Sequence, residues 1–229
     1  MLFIIAIILD LVLLGIYCIF FLYFLNKIRD KDTEIENPFY KPYAFFFLFV
    51  FIAEILYFSL LITSPVEYRY LYWNNPNIVI KILYRLQLMI KGIGYSAIVY
   101  TIEKNFFKDK NPLLTIIFLI IMTTGQLLLI FTTEEVSLVV SLFNVLMLGA
   151  TFFIPIGYIY IGIKSSGPIR TKGLLIGIAF LLLLTATMMM TYIFLEVWGV
   201  KEIVDLNIMF IITVSMRICG SCIIFWGFK

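Results

Sequence analysis

The chain has 229 residues, of which 63% are hydrophobic and 14% charged, with a mean hydropathy of +1.07. Soluble domains run near 45–50% apolar and about 25% charged, so a water-soluble fold is excluded. The net charge of +3 needs no nucleic acid to explain it: the basic excess sits between apolar stretches, where it orients spans and meets anionic lipid headgroups.

Seven apolar stretches follow one another, at approximately Leu2–Leu25, Ala44–Ser64, Ile78–Ile102, Leu113–Phe131, Val136–Ile163, Gly173–Val200 and Ile203–Phe228. A helix crossing a hydrocarbon core of about 30 Å needs roughly 20 mostly apolar residues, and each stretch is about that long. Runs such as Phe45–Phe51 and Leu181–Leu184 do not alternate in polarity, as barrel strands would. The expectation is an all-α, multi-pass integral protein of the cell membrane, a seven-transmembrane-helix bundle forming a single domain over residues 1–229.

The amino terminus lacks the basic region of a cleavable signal peptide and shows no small-residue cleavage site before Asn26, so the first span is read as retained. The longest connection, Asn26–Tyr43, has 18 residues and cannot hold a soluble domain. Any output is therefore expected to pass through a partner protein, cytoplasmic or membrane-bound. Eleven Lys and Arg residues, among them Lys27, Arg29, Lys104, Lys164, Arg170 and Lys172, lie on one side of the spans against Arg69 and Lys201 on the other. Cytoplasmic loops carry such an excess, which puts the amino terminus outside and the carboxyl terminus in the cytoplasm. Tyr68, Tyr70, Tyr72 and Trp73 of the second–third loop read as an outer interfacial belt.

The third span is the most polar. At about 100° per residue, Lys81, Tyr84, Arg85, Gln87, Lys91, Gly92, Tyr95 and Ser96 occupy roughly half its circumference, opposite Ile82, Leu83, Leu86, Ile90, Ile93 and Val99. That half must face the bundle interior. In the fourth and fifth spans, Gln126 and Asn144 are single polar residues suited to interhelical hydrogen bonds. Pro155, with Gly149, Gly157 and Gly162 near it, predicts a kink in the fifth span. Gly173-x-x-x-Gly177 permits a close helix approach in the sixth. Cys18, Cys219 and Cys222 all fall within spans, where a thiol acts as a small apolar group.

A shift of 126 residues lays Pro42 on Pro168, Ile52-Ala53 on Ile178-Ala179, Lys91 on Arg217 and Gly94 on Gly220. A parallel three-plus-one-plus-three repeat, with the fourth span as linker, would give this match.

Ionisable groups inside spans are the sharpest signal, because they are costly in hydrocarbon and face partners or wet cavities. At about 1.5 Å per residue, Asp10 and Arg85 fall in the outer third and Glu54, Lys91 and Arg217 near the midplane. Two groupings are expected: Glu54 with Lys91 and Arg217, and Asp10 with Arg85. With all five ionised one cation is left over, so either Lys91 is neutral or an anion fills the site. The candidate ligand-binding set is Asp10, Glu54, Tyr84, Arg85, Gln87, Lys91, Tyr95 and Arg217. The other reading is an internal ion-pair network that only fixes helix packing.

No histidine is present, and neither Gly-x-Ser-x-Gly nor a phosphate-binding Gly-rich loop occurs. Serine–histidine catalysis and histidine-based zinc sites are thereby excluded, and neither enzyme activity, metal nor cofactor is expected.

Seven helices with an external amino terminus resemble the layout of rhodopsins and G-protein-coupled receptors. The last span carries Arg217 where a retinal protein needs lysine, and the third ends Tyr100-Thr101-Ile102-Glu103-Lys104 without the receptors' Asp-Arg-Tyr triplet. The loop Lys164–Lys172, with Gly167-Pro168-Ile169-Arg170, is similar to the Gly-x-x-Arg connection of seven-helix sensor regions in archaeal and bacterial signalling proteins. That resemblance implies a sensor or receptor-like module that binds a small ligand and signals through a partner; the leftover cation within the spans would suit an anionic one. A small-solute transporter and a structural subunit of a membrane complex are the alternatives.

Overall fold

A computed structural model describes residues 2–30, 37–64, 72, 77–104, 112–131, 137–190 and 199–228. All regular structure among them is helical: α1 (Leu2–Arg29), α2 (Asn37–Thr63), α3 (Ile78–Ile102), α4 (Leu113–Phe131), α5 (Ser137–Lys164), α6 (Pro168–Met189), the four-residue α7 (Val200–Ile203) and α8 (Leu206–Gly227). Four of these, α1, α2, α6 and α8, are long and apolar enough to cross a membrane. Large aliphatic side chains such as Ile4, Ile8, Ile19 and Ile62 stand more than half exposed. A hydrocarbon surrounding accepts such a surface; water does not.

The helices outrun the apolar stretches at several ends. α1 continues through Asn26 to Arg29, because Lys27 and Arg29 are good helix formers and their charges oppose the negative end of the helix dipole. α2 begins at Asn37, ahead of the expected Ala44, with Pro38 in its first turn and Pro42 inside. At Pro38 the amide has no helical acceptor, so proline is tolerated there, whereas Pro42 removes one bond of the helical ladder. α6 starts at Pro168 rather than Gly173: Gly167, at φ 63°, makes the turn, and the Arg170 amide donates to the Gly167 carbonyl at 3.2 Å. A positive φ is strained for residues with a Cβ, so this turn needs its glycine. Residues 191–198 lie outside the described part. Ile203, expected to open the last span, belongs instead to α7, and α8 begins after Asp205, whose side chain accepts from the Asn207 amide at 2.7 Å. An Asp cap marks the start more sharply than apolarity does. Pro155 lies inside a continuous α5.

The chain divides into two compact units, Tyr17–Met147 and Met1–Ile16 with Leu148–Lys229. In the first, α2 and α4 both pack on α3. Tyr17, Phe20 and Phe24 of α1 meet Tyr40, Tyr43 and Phe47 of α2, with Phe24 stacked on Phe47 at 5.6 Å and on Tyr43 at 5.7 Å. Aromatic pairs of this kind add about 0.5–1.5 kcal/mol beyond the area they bury. In the second unit α6 pairs with α8 and also touches α5. A Cβ on Gly173 would stand 3.0 Å from the Gly162 nitrogen, and one on Gly177 would stand 2.7 Å from Ile159 Cγ1. The small residues of Gly173-x-x-x-Gly177 thus let α5 and α6 approach backbone to backbone. Gly220 does the same for α8 against α6, 3.0 Å from the Ala179 carbonyl oxygen. Cys219 and Cys222 lie exposed on α8, and Cys18 is half-buried.

Candidate functional site

The polar half of α3 is buried. Arg85, Gln87, Lys91, Gly92 and Ser96 face inward while Ile82 and Leu86 are exposed. Val99, expected on the outer half, is buried as well, because the inward arc widens along a helix packed on two sides. That arc is divided between two antiparallel neighbours.

Towards α2, Lys91 Nζ lies 2.5 Å from Glu54 Oε1. Glu54 is fully buried at 0% exposure, and the ammonium also sits 5.8 Å from the centre of the Tyr57 ring. Tyr57 in turn meets Tyr72 edge-on at 5.6 Å, and Tyr72 meets Tyr84 at 5.3 Å. Tyr72 therefore stands buried between α2 and α3, not in an interfacial belt: its ring lies towards the start of α3 from the ion pair. Tyr68, Tyr70 and Trp73 lie outside the described residues. Gly94 seats α3 on Phe46 and Phe49, and Tyr95 meets Phe46 edge-on at 5.2 Å. By helical phase Gln87 lies within about 40° of Lys91, on the arc that faces α2. Its Oε1 is buried and accepts no hydrogen bond among the described residues.

Towards α4 the chemistry differs. Gly92 lets Met122 approach to 3.0 Å of where a Cβ would stand. Two turns nearer the start of α3, Arg85 Nη1 donates to Gln126 Oε1 at 3.4 Å, and Gln126 Nε2 donates to Met147 Sδ at 2.8 Å. The guanidinium carbon lies 5.5 Å from the Tyr84 ring centre. Among the described residues no carboxylate lies within ion-pair distance of Arg85. Gln126 thus makes the interhelical bonds its isolation in an apolar span predicts; the side chain of Asn144 lies outside the described residues.

Asp10 and Arg217, both buried, belong to the second unit. Glu54, Tyr84, Arg85, Gln87, Lys91 and Tyr95 belong to the first. The expected companionship of Glu54 with Lys91 is present as a contact. The division of the remaining set into two units was not visible in the sequence.

Sequence reasoning also missed Glu103. Its carboxylate, 1% exposed, accepts from the amides of Leu114 and Thr115 at 2.7 and 2.9 Å and from the Thr115 hydroxyl at 2.7 Å. It caps α4 from the end of α3, where an anion offsets the positive end of the helix dipole. Burial pushes this carboxyl up, but the hydrogen bonds from Thr115, Leu114 and Leu113 outweigh it and hold it below the usual carboxylate range. An acid ten residues ahead of an apolar span was the one available sign.

Comparison with known proteins finds no family model, curated sequence or solved structure that matches this chain.

Proposed function

We propose that the chain is a seven-span membrane protein of the cell membrane, amino terminus outside and carboxyl terminus cytoplasmic, acting as a sensor or receptor-like module. A small anionic ligand binds in the polar region beside α3, and the short basic connections signal through a partner protein. The observation that carries this reading is the buried polar flank of α3, whose two cations, Arg85 and Lys91, lie with the Glu54 carboxylate of α2 among mostly apolar helices. Such groups are expensive in hydrocarbon and mark binding sites more often than packing alone requires. The eleven-to-two distribution of Lys and Arg supports the orientation. The pairing of α2 with α3 and of α6 with α8, the spans equated by the 126-residue shift, supports a parallel repeat.

A ligand can act only by binding one arrangement of these helices better than another. The test is a small-molecule screen for thermal stabilisation of the purified protein, followed by flux measurement of each hit in proteoliposomes. Stabilisation without flux is expected. Accumulation or counterflow of a hit would make the chain a carrier, and a screen without hits alongside stoichiometric copurifying subunits would make it a structural component.

A further inference from the structure

The geometry points to Arg85 as the anchor of a binding site for an oxyanion presenting two adjacent oxygens, a carboxylate or a phosphate, at the α3–α4 contact. This rests on the receptor reading above and names the ligand class and the residue that takes it. In the unit Tyr17–Met147, Glu54 and Lys91 neutralise each other, and Lys81 is only half-buried near the start of α3. Glu103, the unit's other buried carboxylate, is taken up by the amides of α4 at the far end of α3, so the buried cation left without a carboxylate among the described residues is Arg85, 9% exposed, and not Lys91. Lysine can shed its proton when buried, but arginine stays charged, so Arg85 cannot reach neutrality alone.

What surrounds Arg85 is built to hold the guanidinium without cancelling its charge. Of its five N–H donors, one reaches Gln126 Oε1, at the long distance of 3.4 Å. An amide carbonyl brings a dipole but no charge. Gln126 is itself fixed, because its Nε2 donates to Met147, which keeps the carbonyl turned towards Arg85. The Tyr84 ring beside the guanidinium carbon adds quadrupole attraction. The rest of the planar fork has no acceptor among the described residues, and a fork of this kind matches two oxygens of one carboxylate or phosphate. Arg85 lies seven residues into α3, about 10 Å along its axis. A free anion from the amino-terminal side of α3 and a lipid phosphate tilted inward are the two sources within reach.

The experiment uses the full chain in maltoside micelles, which carry no phosphate, with sodium acetate or sodium phosphate compared against sodium chloride at equal ionic strength. A parallel set of micelles contains phosphatidylglycerol. At about a hundred times Kd, the oxyanion is expected to raise Tm by roughly 5–10 °C over chloride, and Arg85→Gln to abolish the rise. If phosphatidylglycerol alone raises Tm and added acetate or phosphate then does nothing, the oxyanion is a lipid headgroup. If Arg85→Gln fails to fold, Arg85→Lys keeps the charge and loses the fork, and roughly tenfold weaker binding is expected. Wild-type Tm equal in all salts and lipids would overturn the assignment. A rise that Arg85→Gln or Arg85→Lys leaves unchanged overturns it too. Stabilisation by an uncharged solute that survives in these variants would sink the anion site and leave the receptor reading standing. Oxyanion binding accompanied by oxyanion flux would do the reverse.

Discussion

The two units hold their helices together by different means. In Tyr17–Met147, Gly92 and Gly94 also let α3 approach its neighbours, but charge and hydrogen bonding are added to them: Lys91 with Glu54 on α2, Arg85 with Gln126 on α4, and Glu103 on the first turn of α4. In the other unit, α6 meets α5 and α8 through glycine, with backbone atoms standing where side chains would otherwise be. The shift that lays Lys91 on Arg217 lays Glu54 on Phe180, a buried ring stacked on Tyr158 at 5.8 Å. It also lays Gly94 on Gly220, yet Gly94 sits against Phe46 and Phe49 while Gly220 sits against Ala179 and Leu183. Those are the equivalents of Ala53 and Tyr57, about two turns further along. Similar residues therefore serve different contacts. Polar contacts are strong but depend on their partners, and a ligand can replace one. Glycine contacts are steric and have nothing to exchange.

The sharpest break of this contrast is expected at Lys91. Lys91→Met strands a buried carboxylate and should cost about 3–5 kcal/mol, most of it recovered in Lys91→Met/Glu54→Leu, where neither charge remains. Detergent-solubilised melts of the two variants measure this; equal losses would mean that the pair contributes little. Gly177→Ala probes the other mode. Its Cβ would meet Ile159 Cγ1 at 2.7 Å and the Pro155 carbonyl oxygen at 3.3 Å, and overpacking of this kind costs on the order of 2–3 kcal/mol. The same melts read it out, and an unchanged Tm would show that α5 and α6 can separate freely.

Glu103→Gln comes next, at about 1–2 kcal/mol for the lost charge-assisted bonds. The sign with pH follows from its depressed carboxyl. The contribution is complete above the unfolded carboxylate range and fades as pH falls through the lower folded value. Wild type should therefore lose its advantage over Glu103→Gln on acidification; a gap that widens instead would contradict the cap. The smallest effect is expected at Gly15, where a Cβ meets nothing within 4 Å. Gly15→Ala should be neutral or stabilising by up to about 1 kcal/mol through helix propensity alone, and a clear loss in the same assay would mean that small-residue packing extends to α1.

The sequence revealed as much of this as apolarity can reveal. Hydrocarbon-length runs placed the long helices, and a half-polar circumference at α3 announced that Arg85, Gln87 and Lys91 are buried. Opposite charges at like depth put Glu54 beside Lys91. Apolarity marks depth rather than helix length, so α1 and α2 outran their runs and α7 separated from α8 at the Asp205 cap. A tyrosine in a connection between two apolar runs resembles every other interfacial tyrosine, so nothing distinguished the buried Tyr72. The polar arc of α3 could be seen, but its division between α2 and α4 depends on where two neighbours sit, which a helical wheel does not contain. Gln126 stood out as polar, and only the fold gives it Arg85 as a partner.

Glu103 has one more implication. Since its carboxylate ties the tail of α3 to the head of α4, the register of that pair is held by a contact the two helices make themselves. A protease recognition sequence or an epitope inserted between them should leave the helical pair tethered even after cleavage, and would give a handle for reporting on which face of the bilayer that junction emerges.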